Sequence, residues 1–485
     1  MKCICDSIKK TGSVKLKVVK LKVSGTFFLS ALVKPSRERH IPAIWTGQGN
    51  VVLTVAACLS LLLCQWSFAQ DAPLPRSHVI GLANLKMRLN PLDLPTGFGV
   101  IASHVEGGQD NAYTPNIRDA RYAGTQFMLR SGVSKVGGHA DATAKIIYGS
   151  QGLAPGIKEV HCYRAFNWLK EGCLFTGTNQ PPKSDGSDLL NHSWIAGNAS
   201  AFTVQALRRL DYLIDTTDTI AVIGVNNGPT TPVPPLLASC YNGIAVGRDN
   251  GQSSGGRTQI EGKGRSKPDL VAPGGLTSFS TPVVSASAAM MIQLAKAHPQ
   301  SEHARKAQVI KAILMAGAVK SQHWKHYPER PLDVHLGAGV VNVEHSYDII
   351  KQSPTLPGMM QEDTGWSYFE ITPRQMHSWY WDVKQDLADA TIALVWHRRI
   401  DGRQLTDSIT RKTIWIDQPY LADLDIKLIS LDQGQIASSH STVDNVELIH
   451  IPILKAGQYE IQVGRKDGLN SKWTAALAWF GESQN

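Results

Sequence analysis

Lys267-Pro268-Asp269-Leu270-Val271-Ala272-Pro273-Gly274-Gly275-Leu276-Thr277-Ser278-Phe279-Ser280-Thr281-Pro282 joins an apolar run, a Pro-Gly-Gly break and a serine standing before small residues that continue through Met291. Proline is tolerated in the first turn of a helix, where its missing N–H would be unpaired anyway. The spacing therefore predicts a helix starting near Ser278 to Pro282. A serine at such an end has free backbone N–H groups and the positive end of the helix dipole beside it, which suits a nucleophile whose attack creates an oxyanion. Taken alone, it would read as a helix cap.

The flanks supply the context. From about residue 97 to 350, short apolar β-branched runs such as Thr219-Ile220-Ala221-Val222-Ile223 and Asn242-Gly243-Ile244-Ala245-Val246 alternate with small-residue or amphipathic helical stretches. That alternation predicts an α/β domain on a parallel sheet. Pro181-Pro182, Gly228-Pro229, Pro232 to Pro235 and Gly274-Gly275 mark loops at strand ends, where sites lie in such folds. After Pro354 the pattern turns to period two, as in Thr391-Ile392-Ala393-Leu394-Val395-Trp396 and Gln458-Tyr459-Glu460-Ile461-Gln462-Val463. Residues 353–485 are read as an antiparallel β-sandwich of about 100 residues or a little more. The division is a leader over 1–69, a short segment 70–96, the α/β domain 97–352 and the sandwich.

Thr277, Ser278, Thr281 and Pro282 match Gly-Thr-Ser-x-Ala-Thr-Pro, and the stretch resembles the serine motif of the subtilisin family. Leu276 stands where that motif has glycine, and the segment usual between Pro-Asp-x-x-Ala-Pro-Gly and the serine is almost absent, which implies a shorter rim around the site. Gly138-His139-Ala140-Asp141-Ala142-Thr143-Ala144 resembles the family's histidine motif, and Gly224-Val225-Asn226-Asn227-Gly228 resembles its strand ending in Gly-Asn-x-Gly. The resemblance implies a subtilisin-like sheet with helices on both faces, Ser278 as nucleophile, His139 as general base and Asn226 as oxyanion donor. Imidazole suits the base because its pKa near neutrality lets it take the serine proton and later release it. Asn227 has a plainer alternative as a turn residue.

The acid departs from the family. Gly97-Phe98-Gly99-Val100-Ile101-Ala102-Ser103-His104-Val105-Glu106-Gly107-Gly108 has the shape of the first motif, with glutamate where aspartate is expected. Glu106 is the first choice for the third member, since a carboxylate one methylene longer can still accept the imidazole N–H. Asp110 and Asp141 are rivals. Leu189-Leu190-Asn191-His192-Ser193-Trp194 resembles the strand that lines the substrate pocket, which makes Ser193 and Trp194 candidate binding residues; Trp194 reads equally well as core. Polypeptide as substrate follows from the resemblance alone. In the last domain Asp423, Asp425, Asn445 and Glu447 resemble acids that hold calcium in the jelly-roll domain of some bacterial alkaline subtilases; a solvated charged face is the other reading. No cofactor is required for the chemistry. A subtilisin fold that binds or scaffolds without catalysis is the competing function, against which stand Ser278, His139 and Asn226 together.

The formal charge of +9 sits at the front: residues 1–70 hold 10 Lys+Arg against 2 Asp+Glu, or +8, which leaves 39 against 38 for the rest. A nearly neutral body implies no nucleic-acid partner. The apolar run Val51 to Cys64, followed by Gln65-Trp66-Ser67-Phe68-Ala69, reads as a signal peptide cut before Gln70; it is short for a membrane span of ~20 residues. Export to the periplasm, cell surface or medium is expected, without stable membrane insertion. Lys15, Lys17, Lys20 and Lys22 alternate with apolar residues in a way unlike a short n-region, which points to a start placed too early. Val55-Ala56-Ala57-Cys58 lies at the wrong end of the run for lipidation. Cys3, Cys5, Cys58 and Cys64 fall in this leader; Cys162 and Cys173 either close a small loop or remain, with Cys240, as reduced core thiols.

Overall fold

The computed structural model describes residues 17–23, 26–33, 39–45, 77–406, 408, 409, 411 and 413–483. The run at 51–64, the expected cleavage site and Cys3, Cys5, Cys58 and Cys64 lie outside them. Among the first 71 residues, the strands Lys17–Val23, Thr26–Val33 and Arg39–Trp45 form an antiparallel sheet with the second in the middle.

From residue 77 onward the described chain is one unit. Its sheet has seven parallel strands: β1 Ile101–Glu106, β2 Gln126–Leu129, β3 Glu159–Arg164, β4 Leu189–His192, β5 Ile220–Gly224, β6 Ile244–Arg248 and β7 Leu270–Ala272. Their order is β7-β6-β5-β4-β1-β3-β2. Chain order reverses on either side of β1, and in open parallel sheets the crevice beyond the carboxyl ends at such a reversal is where ligands bind. The helices are α1 Leu82–Arg88, α2 Gly138–Ile147, α3 Ala201–Thr217, α4 Thr277–Ala297, α5 Ala307–Ala316 and α6 Val343–Ile350.

Helix α4 is the spine of this unit. Buried residues make up 16 of its 21 positions, because Val, Ala and Met alternate with serines and threonines whose hydroxyls find acceptors, as Ser287 does at Val283 O, 2.9 Å away, and Ser285 at Asn191 Oδ1, 2.8 Å away. A helix apolar on every side is a core helix. Gly224 lets it approach: a Cβ there would stand 2.9 Å from Thr281 Oγ1. α1 belongs to the same body, since Val343 N donates to Ile80 O at 2.8 Å and Arg88 reaches both Asp348 oxygens at 2.6 and 2.9 Å.

The expected sandwich is present as a five-stranded sheet and a four-stranded sheet. In the latter, Trp473–Ser483 lies between Thr364–Ile371 and Leu387–Trp396. This sheet covers α5, all ten of whose residues are buried, and Ala476, Ala478 and Phe480 share the core of the α/β part. A second tie is ionic. The buried Arg398 donates from Nε to Asp211 of α3 at 2.8 Å and from Nη1 to Glu261 at 2.6 Å, with its guanidinium 4.4 Å from the Tyr241 ring centre. Breaking a buried pair strands a charge, so Arg398→Met is expected to cost about 3–5 kcal/mol, read as a lower urea midpoint.

Candidate active site

Four elements converge at the crevice. Glu106 ends β1, His139 is the second residue of α2, Asn226 lies two residues beyond β5 and Ser278 is the second residue of α4. α4 begins at Thr277, a little earlier than proline placement suggests, because Asn227 caps it: Asn227 Oδ1 accepts from Thr277 N at 2.7 Å and from Thr277 Oγ1 at 2.9 Å. Pro282 therefore sits past the first turn. The reading of Asn227 as a turn residue misses this clasp.

Glu106 and His139 are joined. His139 Nδ1–H donates to Glu106 Oε2 at 2.6 Å, and the His139 ring stacks on Phe279, next to Ser278, with centres 6.4 Å apart. Burial alone would push the Glu106 carboxyl up; the charge of His139 and hydrogen bonds from His104 and His139 outweigh it and hold the carboxyl well below the usual range. For His139, burial pulls the imidazole down, but the Glu106 charge and hydrogen bond raise it above its ordinary value. The rival acids are elsewhere employed or turned away. Asp141 pairs with Lys145 at 2.8 Å and accepts from Asn116 N at 3.0 Å, while Asp110 is exposed in a left-handed turn with φ 52°.

Ser278 Oγ donates to Ser193 O at 3.3 Å, so the residue that follows β4 sets a backbone carbonyl beside the Ser278 hydroxyl. Ser193 Oγ is itself tied to Asn191 Nδ2 at 3.0 Å. Trp194 is half-buried against the core, its ring 5.8 Å from that of His192. Asn226 N donates to Ser254 Oγ at 2.9 Å and Asn226 Oδ1 accepts from Asn227 N at 2.7 Å, which leaves the amide NH2 as the side chain's donor. Asp269 of the Pro-Asp element is structural: Lys267 and Lys311 clamp it at 2.6 and 3.0 Å, and Ala245 N donates to it at 2.7 Å.

Three of the four candidate calcium residues have protein partners for their side chains. Asp425 pairs with Lys466, Glu447 accepts from Ser439 Oγ and from Ser441 N, and Asn445 Nδ2 donates to Trp396 O at 2.7 Å. Asp423 sends its backbone N–H to Asp467 Oδ2 at 2.9 Å, and its carboxylate Oδ1 is buried without a hydrogen-bond partner. Burial pushes the Glu447 carboxyl well up, and the nearby Asp444 and Asp425 charges push the same way. Among the described residues no group of three or more His, Cys, Asp or Glu side chains is arranged to hold a metal ion. Cys162, Cys173 and Cys240 are buried and unpaired, so the loop disulfide is absent; burial pushes the Cys240 thiol up to about 11.

Comparison with known proteins adds the family. Residues 130–339 match the model of the subtilase family of peptidases. This part of the chain is similar to a subtilase domain. A subtilase domain is a serine peptidase domain, and the match spans His139, Asn226 and Ser278 but begins beyond Glu106. No curated protein matches. Among solved structures, a protease of Pseudoalteromonas arctica PAMC 21717 is similar at 17% identity, over 53% of this chain and 91% of its own, with a TM-score of 0.32. No helix among the described residues is long and apolar enough to cross a membrane.

Proposed function

We propose that the chain is an exported serine endopeptidase that cleaves polypeptides through an acyl-enzyme, with Glu106, His139 and Ser278 as its triad. The bond of 2.6 Å between Glu106 and His139, at the head of the helix that carries Ser278, supports this reading most strongly. In the proposed cycle His139 Nε2 takes the Ser278 proton as Oγ attacks the scissile carbonyl carbon. The C–N bond then breaks as His139 protonates the leaving amine, and water repeats the sequence to free the acid. Glu106 stays ionised throughout. It fixes the tautomer with the proton on Nδ1 and stabilises the imidazolium. The steps use protein groups and water alone.

A fluorophosphonate probe tests this directly. The purified chain is expected to gain one phosphonyl group, located on Ser278 by peptide mass; a folded chain that stays unlabelled would overturn the reading. Digestion of a peptide library then tells endopeptidase from exopeptidase cleavage. Asn226→Ala is expected to lower kcat about 10²–10³-fold with little change in KM, since the amide acts on the oxyanion and hardly on the ground state. An unchanged kcat would move the oxyanion role elsewhere.

A further inference from the structure

His104 stands two residues before Glu106 on β1, so both side chains point to the same face of the sheet. It is fully buried, and its Nε2 lies 3.3 Å from Glu106 Oε1 and 3.2 Å from Thr143 Oγ1. Thr143, one turn after His139 on α2, donates its hydroxyl to the same Oε1 at 2.8 Å. Glu106 Oε2 is left to His139 Nδ1. His104 Nδ1 is buried without a partner, which places the ring proton on Nε2, the nitrogen facing Thr143 and Glu106.

We propose that His104 is a positioning residue: with Thr143 it holds Oε1 of Glu106, so that the longer carboxylate presents Oε2 to His139 in one orientation. The inference rests on the triad reading above. It gives the glutamate a physical reason. A carboxylate on a longer arm has one more rotatable bond, and its orientation must be fixed by partners for Oε2 to meet the imidazole. His104 and Thr143 are those partners on two different elements. The titratable groups around Glu106 are His104 itself, His139 on α2, Cys162 on β3, Tyr148 after α2 and His192 at the end of β4. Burial raises Cys162 and Tyr148 and takes His192 down to about 3, while the Glu106 charge and hydrogen bond raise His139, whose protonation sets the acidic limb of activity in the proposed cycle.

The experiment compares the wild-type chain with His104→Gln, His104→Leu and Thr143→Val, all folded by circular dichroism, by fluorophosphonate labelling rate and by kcat and KM on a peptide across pH. A glutamine Nε2 can replace the imidazole Nε2–H, so His104→Gln is expected to stay within about threefold of wild type, a cost below that of one neutral hydrogen bond. His104→Leu is expected to lose about 10–100-fold in kcat and labelling rate, the worth of a hydrogen bond to a charged group, with KM nearly unchanged. Its acidic limb should move to lower pH, because a carboxylate no longer held against His139 raises that imidazole less. A wild-type labelling rate and an unmoved limb in His104→Leu would overturn the proposal. Should His104→Leu not fold, Thr143→Val decides: a limb moved in the same direction supports it and an unmoved limb overturns it. A wild-type chain that never labels at Ser278 overturns the triad reading and this inference with it, whereas labelling without any response in the variants sinks the role of His104 alone.

Discussion

Replacing Ser278 by alanine is expected to reduce peptidase activity to background while the fold survives. Loss of the nucleophile from a Ser-His-acid triad costs about 10⁶-fold in kcat, far more than any other change considered for this chain. The structural cost is small because the Ser278 hydroxyl donates one long bond, 3.3 Å to Ser193 O, and the side chain is half-buried at a helix end. Alanine there also favours the helix, so stability should change by no more than about 1 kcal/mol. Peptide hydrolysis, fluorophosphonate labelling and a urea melt on one preparation check all three statements. Retained hydrolysis by the folded variant would place the nucleophile elsewhere.

Glu106→Gln is expected to lower kcat about 10⁴-fold, as the corresponding loss does in related triads, because an amide admits the wrong imidazole tautomer and cannot stabilise the imidazolium. The pH profile carries a second signature. A general base works only when neutral, so activity rises as pH climbs through the His139 pKa, which Glu106 holds above the ordinary histidine value of about 6.5. Removing the carboxylate lowers that pKa and moves the acidic limb to lower pH, even as the plateau falls. Asp141→Asn should leave kcat near wild type, since Asp141 is occupied by Lys145 and Asn116, and Asp110→Asn should do the same from its exposed turn. Near-native activity in Glu106→Gln with a large loss in either of these would reassign the acid. Glu106→Asp is expected to keep partial activity, because a shorter arm cannot reach both His139 and the His104–Thr143 pair.

Much of the sheet and of the site was legible because it is written in local terms. Pro273-Gly274-Gly275 must break a strand, and the small residues after Ser278 suit a helix packed on every side. Glu106 follows an apolar run and precedes Gly107-Gly108, so it had to end a strand at the crevice. What escaped are contacts between elements far apart in the chain. Asn227 caps a helix that starts 50 residues later, and nothing in Asn-Asn-Gly announces it. His104 was closer to hand: its spacing of two from Glu106 puts them on one face, but only the docking of α2 brings Thr143 to the same oxygen. The partners of Glu447 and Asn445 likewise depend on how strands pair, and alternation in the sequence does not announce them. α5 held an unused signal, since a helix apolar at every position but Gln308 and Lys311, as Ala307–Ala316 is, requires a second cover beyond the sheet.

That cover is the strand Trp473–Ser483, some 160 residues downstream of α5, and it occupies an interior place in its sheet. His345 of α6 stacks on its Phe480 at 4.1 Å, so the strand also backs the helix that holds α1. Loss of this strand would strip α5 of its cover and take Ala476, Ala478 and Phe480 out of the shared core. The sandwich and the α/β part therefore stand or fall as one cooperative body.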